Sequence, residues 1–553
     1  MRATRLAIVL VLVLAAAARS ACAAPRAGAV ASEHPAAAAA GAEILRAGGT
    51  VVDAAIAAAA AVCVVHPSSC GLGGGGFALV HRADGGDFAL DYREVAPAGA
   101  TPERFRAGGK PEPALLRRGG LAVGVPGEVA GLVTLHRRFG RLPLARVLAP
   151  AIRLARDGFL LAEAPHLARE IEHDKDLLAA DPGLRRVFLA DGGSAPGPDF
   201  RIVQADLART LETIAAQGSS PFYRGPRAAA IVAAVRARGG VLDAVDLARY
   251  RPRWRRPLVS TFRGRRIVTF PPPGSGGVLL EMLGLLARDD LPALGRGTPT
   301  ALHLLAAAMA QGFADRARWY GDPEFARVPL AALLAPPRLA ALRRALSALR
   351  PTPQDTALVP DHGTAHVSVV DARGNAAAIT TTINTGFGAG ILVADTGVIL
   401  NDEMDDFALA PGIPNVYGLV GTAANMLAPG KRPQSSMSPT IVLEGRRPTL
   451  VVGGSGGPTI ISGTLQVMLG VIAFGLPLRE AVVAPRIHDQ AAPPVLVVEA
   501  AVEPGVRGVL ERLGHRVVVA PALGAVSACG LARDGTPVAA GDPRKDGGAA
   551  VVR

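Results

Sequence analysis

The stretch TAHVSVVDARGNAAAITTTIN, residues 364–384, decides how the rest of the chain is read. His366-Val367-Ser368-Val369-Val370 is a strand-forming run, turn formers follow through Asp371, Gly374 and Asn375, and a second strand-forming run occupies residues 376–384, so the segment predicts a β-hairpin. Alternation on the second strand puts Thr380, Thr382 and Asn384 on one face, where two hydroxyls and an amide line up. Just upstream, RPTPQDTALVPDHG (residues 350–363) has three prolines, no apolar period and several turn formers, and reads as an exposed connector. Thr364 therefore stands where a loop meets a strand.

Outward from the hairpin, the composition is that of a globular chain. Half of the 553 residues are hydrophobic and 19% are charged, which excludes intrinsic disorder and supplies a large core. The 59 Lys+Arg against 46 Asp+Glu give +13, but only Lys110, Lys175, Lys431 and Lys545 are lysines, and the arginines are scattered through apolar stretches. With aromatics at 4%, neither a basic patch nor a stacking surface for nucleic acid is supplied. Residues 51–65 read as a buried Ala-rich helix, residues 301–320 are helix-like, and short strands with Gly/Pro turns alternate with helices between them.

At the other end of the chain, residues 1–24 read as an export signal: Arg2 and Arg5 precede an apolar run of thirteen residues (6–18), and small residues surround Cys22. Thirteen is short of the roughly 20 needed to span a bilayer, so a periplasmic or secreted protein without stable membrane insertion is expected. Arg19 disfavours Cys22 as a lipid anchor. The remaining cysteines, Cys63, Cys70 and Cys529, contain no CxxC pair, and a Cys63–Cys70 bridge is left open. The eleven histidines show no ligand spacing, and no metal or other cofactor is expected.

Two motifs mislead. Gly71-Leu72-Gly73-Gly74-Gly75-Gly76 satisfies GxGxxG, yet it is followed by a strand pattern where a dinucleotide site needs a helix, so a tightly packed glycine turn is the better reading. Gly453-Gly454-Ser455-Gly456-Gly457 satisfies GxSxG between a strand and a helix pattern, which makes a serine hydrolase using Ser455 a competitor, with His488 or His515 as its base. The same turn also suits an oxyanion hole, because consecutive backbone N–H groups are bared at a helix N-terminus.

The remaining unusual residues have the pieces for binding an amino acid. Residues 401–407 (NDEMDDF) pack four acids into five positions, suited to an ammonium; Ser435, Ser436 and an arginine, for which Arg93 is the candidate, suit a carboxylate. Taken in order, residues 71–77, Asp91-Tyr92-Arg93-Glu94, Gly124-Val125-Pro126-Gly127, residues 364–368, 401–407, a lid-like 411–430 with Tyr417, residues 435–440 and Gly456-Gly457 resemble the γ-glutamyltranspeptidases, which are N-terminal-nucleophile hydrolases.

The resemblance implies an α+β fold, a four-layer αββα sandwich formed by two autoprocessed pieces: a large subunit of residues 25–363 and a small subunit of residues 364–553 that pair as a heterodimer. It implies that Gly363–Thr364 is the cleavage site, Thr364 the nucleophile, Thr382 its orienting partner, and Gly456 and Gly457 the oxyanion donors. Arg93, Ser435 and Ser436 would take the glutamyl carboxylate, and Asn384, Glu403 and Asp406 the ammonium. Glutathione and other γ-glutamyl compounds are the implied donors, and water, amino acids or dipeptides the acceptors. Two alternatives accompany it: a glutaryl (cephalosporin) acylase of the same fold, and, outside the family, an uncleaved exported peptide-binding protein.

Overall fold

A computed structural model describes residues 27–346 and 363–553. The export signal, Cys22 and the connector up to residue 362 lie outside the described residues. Among the described residues no helix is long and apolar enough to cross a membrane.

The 364–384 segment folds as its pattern demands. Seven strands form one antiparallel sheet: β1 (Gly28–Ser32), β2 (Gly75–His81), β3 (Asp87–Asp91), β4 (Arg253–Arg255), β7 (Ala365–Asp371), β8 (Ala376–Thr382) and β13 (Gly548–Val552). Their spatial order is β13-β1-β7-β8-β2-β3-β4. The β7–β8 turn is closed by the Asp371 carboxylate, which accepts the N–H groups of Arg373 and Asn375 at 3.0 and 2.9 Å. A second antiparallel sheet holds β5 (Leu258–Phe262), β6 (Arg265–Thr269), β9 (Thr440–Glu444), β10 (Arg447–Ser455), β11 (Ala525–Leu531) and β12 (Pro537–Ala540), in the order β12-β11-β10-β9-β6-β5.

The two sheets stack face to face. Phe77, Leu79 and Ala378 of the first bury against Phe270, Ile441, Val451 and Leu531 from the second, and the Phe77 and Phe270 rings stack at 4.1 Å. Helices α1 (Pro35–Arg46) and α2 (Val51–Val65) cover the outer face of the seven-stranded sheet; α4 (Gly276–Leu285) and α6 (Thr459–Ile472) cover that of the six-stranded sheet, and α5 (Pro299–Trp319) packs against α4. A third helix, α3 (Leu144–Asp157), packs outside α2. This is the expected αββα sandwich. The α2 helix is apolar all round, as a helix sandwiched between a sheet and further helices must be, and a Thr50–Asp53 capping box fixes its start.

Strand order explains why residue 363 is not a domain boundary. Strands β7, β8 and β13, which follow it, share one sheet with β1 to β4, which precede it, so a cut there leaves two pieces that share a core. Between the sheets His366 bonds Thr380 Oγ1 at 2.8 Å and Ser368 Oγ at 2.9 Å, and burial pushes its imidazole down to about 3. Gly453 makes room for that ring, since a Cβ there would sit 2.4 Å from it. Cys63 and Cys70, the pair left open by the sequence, are joined as a disulfide.

Candidate active site

The antiparallel register of β7 with β8 pairs Ala365 with Thr381. That puts Thr364 beside Thr382, with their hydroxyl oxygens 3.0 Å apart. Thr382 Oγ1 also accepts the Asn384 N–H at 2.9 Å, and Thr364 N–H donates to the Ser69 carbonyl at 2.9 Å. Thr364 is buried and its φ is +74°, a left-handed conformation that a β-branched residue adopts only under strain. Gly363 before it tolerates no side chain: a Cβ there would lie 1.6 Å from the Asn384 carbonyl oxygen.

Thr364, Thr382 and Asn384 line a narrow crevice with Arg93, Glu403, Asp406, Tyr417, Ser435, Ser436 and Gly457. The structure thus brings the sequence-predicted residues together at one place, with Gly456 one residue from the wall. A larger apolar cavity of about 420 Å³ lies elsewhere, around Leu302, Leu469 and Phe474, and holds none of them. Chemistry, not size, picks the site.

The GxGxxG segment is a packed turn that feeds β2. A Cβ on Gly73, Gly74 or Gly76 would meet the carbonyl oxygen of Ile399, Thr382 or Thr380 within 2.2 Å. Asn401 ties this turn to the acidic run: its side-chain N–H groups donate to the Gly73 and Gly124 carbonyls at 2.7 and 2.9 Å, while its oxygen accepts the Glu403 N–H at 3.1 Å. The four acids divide by task. Asp402 accepts from Thr385, and Asp405 accepts the Val416 N–H at 2.9 Å; Glu403 and Asp406 both engage the Arg93 guanidinium.

Arg93 is fully buried and further held by the Pro433 and Gln434 carbonyls at 3.4 and 3.3 Å. Burial pushes the carboxyl of Glu403 up, and that of Glu94, 3.7 Å from Arg93, up to about 7, against the pull of the guanidinium. One oxygen of Glu403 and both of Glu94 have no hydrogen-bond partner in the described structure. The cluster therefore sets a cation and acids side by side in one wall of the crevice, a pattern complementary to an α-amino acid, whose ammonium and carboxylate are also neighbours.

A residue-level profile described as γ-glutamyltranspeptidase matches residues 37–552. The chain belongs to the γ-glutamyltranspeptidase family. It is 39% identical to the glutathione hydrolase proenzyme of Escherichia coli (strain K12) over 490 residues, covering 87% of this chain and 84% of the relative. It is 38% identical to the acylase ACY 1 proenzyme of Pseudomonas sp. (strain SE83) over 496 residues, covering 88% and 86%. Among solved structures, the cephalosporin acylase from Bacillus halodurans superposes with a TM-score of 0.84 at 30% identity, over 96% of both chains.

Within this γ-glutamyltranspeptidase-family site, three side chains escaped the sequence reading. Arg316, on α5, donates to Ser436 Oγ at 3.3 Å and Ser275 Oγ at 3.2 Å; burial lowers its guanidinium to about 10. Nothing in the sequence separates it from the other helical arginines. Tyr417, noted only as part of a lid-like stretch, donates its hydroxyl to the Asn384 carbonyl at 2.8 Å, and its ring passes so close to Gly457 that a Cβ there would lie 2.8 Å away. The third is Lys545, whose ammonium reaches the Thr364 carbonyl at 2.8 Å from 181 residues away.

The histidines that the sequence offers Ser455 as a base bond other groups. Ser455 Oγ accepts from Lys545 Nζ at 3.3 Å, whereas His488 bonds Ser462 and Gln490 at 2.9 Å each and His515 bonds His303 at 2.7 Å. Among the described residues no imidazole bonds Ser455.

Proposed function

We propose that the chain is a precursor that cuts itself between Gly363 and Thr364 and then acts, in the periplasm or outside the cell, as a glutathione hydrolase and γ-glutamyltransferase. Residues 25–363 become the large subunit and residues 364–553 the small one. The observation that carries this reading is the single crevice in which a strained threonine at a strand start, its hydroxyl 3.0 Å from Thr382, faces the Arg93–Glu403–Asp406 cluster and the Ser435–Ser436 pair.

In self-cleavage, Thr364 Oγ attacks the Gly363 carbonyl carbon, the peptide nitrogen leaves, and water hydrolyses the resulting ester. Left-handed backbone on a β-branched residue stores roughly 1–3 kcal/mol that breaking the bond releases. The freed α-amine, with an ordinary pKa of about 7.7 to 8.0, is substantially neutral near physiological pH and takes the proton of its own hydroxyl.

In turnover, Arg93, Ser435 and Ser436, backed by Arg316, receive the α-carboxylate of a γ-glutamyl donor, while Asn384, Glu403 and Asp406 receive its ammonium. The γ-carbonyl then lies at Thr364 Oγ. Attack gives a tetrahedral oxyanion held by the Gly456 and Gly457 N–H groups at the start of α6, each such donor being worth about 2.7–4 kcal/mol in comparable sites. The α-ammonium of Thr364 returns its proton to the departing amine, and the γ-glutamyl ester is passed to water or to the amine of an amino acid or dipeptide.

A glutaryl acylase is the second reading, favoured by the likeness to the acylases over nearly the whole chain. A glutaryl group lacks the ammonium, however, and would leave Glu403 and Asp406 without a substrate cation. Parallel turnover of γ-glutamyl and glutaryl anilides separates the two. A preference for the γ-glutamyl compound of at least tenfold is expected, each 1.4 kcal/mol being a factor of ten; no preference overturns the assignment.

A further inference from the structure

Lys545 is one of four lysines among 59 basic residues, and it is buried. Its ammonium donates to the Thr364 carbonyl oxygen at 2.8 Å and to Ser455 Oγ at 3.3 Å, and lies 3.2 Å from Glu33 Oε2 as an ion pair. Glu33, between β1 and α1, accepts the His366 N–H with its other oxygen at 3.0 Å. Lys545 thereby holds the backbone of Thr364 and Glu33 that of His366 two residues on.

The carbonyl oxygen and the nitrogen of one residue are only about 3 Å apart. The ammonium of Lys545 therefore lies within about 6 Å of the nitrogen that becomes the α-amine after cleavage, a range at which a like charge disfavours protonation. We propose that Lys545 is a positioning residue of the reaction: it fixes Thr364 by its carbonyl and sets its ammonium beside the α-amine, which keeps that base unprotonated at working pH. This rests on the proposed role of Thr364. It also gives the GxSxG serine a task, as an acceptor that anchors the lysine.

The other ionisable groups around Thr364 are placed less favourably for this. Glu33 faces Lys545 and offsets part of its charge. Asp546, His66 and His166 sit behind Ser69, whose carbonyl accepts the Thr364 N–H; Asp546 bonds His66 at 2.9 Å, and burial lowers His66 to about 4, leaving it neutral. Glu128 lies behind Thr381, and burial raises its carboxyl to about 8. His366 is neutral, and Arg93, Glu403 and Asp406 line the crevice and pair with one another.

The test is the pH profile of kcat/KM for a γ-glutamyl anilide, measured on purified protein after self-cleavage. K545M is expected to move the acid limb up by about one pH unit, a tenfold loss below the limb, with KM for the donor changed less than twofold. E33Q retains an acceptor oxygen for the His366 N–H and removes the offsetting negative charge, so its limb moves to lower pH. Opposite shifts are not what general loosening of the structure gives. Limbs that coincide with wild type, or that shift in the same direction in both variants, overturn the role of Lys545; if K545M fails to mature, the direction of the E33Q shift decides. A wild-type protein that stays uncut and inactive removes the proposed function itself, whereas an active wild type with unresponsive limbs removes only this inference.

Discussion

Thr364 and Ser455 are both buried hydroxyls that the sequence offers as nucleophiles, and Lys545 touches both residues. At Thr364 the lysine takes the carbonyl and leaves the hydroxyl to Thr382 and the crevice. At Ser455 it takes the hydroxyl itself. A GxSxG spacing supplies a sharp strand-to-helix turn, but not a base. A threonine at the start of a strand gains a base when the bond before it breaks, whereas the histidines that the sequence offers Ser455 are engaged with other partners.

The sharpest way to break the comparison is to remove each hydroxyl in turn. T364A is expected to remain one uncut chain with activity down by at least about 10⁴-fold, while S455A matures and stays within about tenfold of wild type. Denaturing gels and anilide turnover read both; an inactive S455A beside an active T364A reverses the assignment. Next in size is R93M, which leaves Glu403 and Asp406 buried without their cation. Truncating one partner of a buried charge pair at a binding surface costs about 2–5 kcal/mol, so kcat/KM for the γ-glutamyl donor should fall about 30- to 5000-fold with self-cleavage retained; an unchanged kcat/KM would show that the cluster does not read the substrate.

T382V keeps the shape and deletes the hydroxyl that meets Thr364 and accepts the Asn384 N–H. Loss of about 1–3 kcal/mol predicts a 10- to 100-fold drop in kcat with donor KM little changed. The smallest effect concerns Glu128, which accepts from Thr381 on the back of the same strand and whose carboxyl burial raises to about 8. A raised folded pKa means that its contribution is complete below the ordinary carboxyl value, declines as pH rises, and is gone above about 8, by at most about 1.4 kcal/mol per pH unit. The wild-type Tm should fall by about 1–3 °C per unit between pH 6 and 8, and E128Q should flatten that slope.

How much was legible follows from how far apart the partners lie in the chain. The β7–β8 hairpin carries its own alternation and turn chemistry, so Thr364, Thr382 and the strand face could be placed from the sequence, and the Ala-rich 51–65 segment is helical over its whole expected length. Residues Arg93, Glu403, Asp406 and Ser436 were nameable through family motifs, but their direct contact was not: the sequence reading set Arg93 and the acids at opposite poles of a substrate, and they pair across 310 or more residues. Arg316 and Lys545 carry no local signal at all. Their partners are fixed by the sandwich, which brings α5 over Ser436 and the segment before β13 under Thr364.

N-terminal sequencing of the smaller fragment of the purified protein tests the central claim most directly. A fragment of 190 residues that begins Thr-Ala-His-Val-Ser is the expected result. A single intact chain with full γ-glutamyl activity, or a fragment that begins anywhere else, would contradict it.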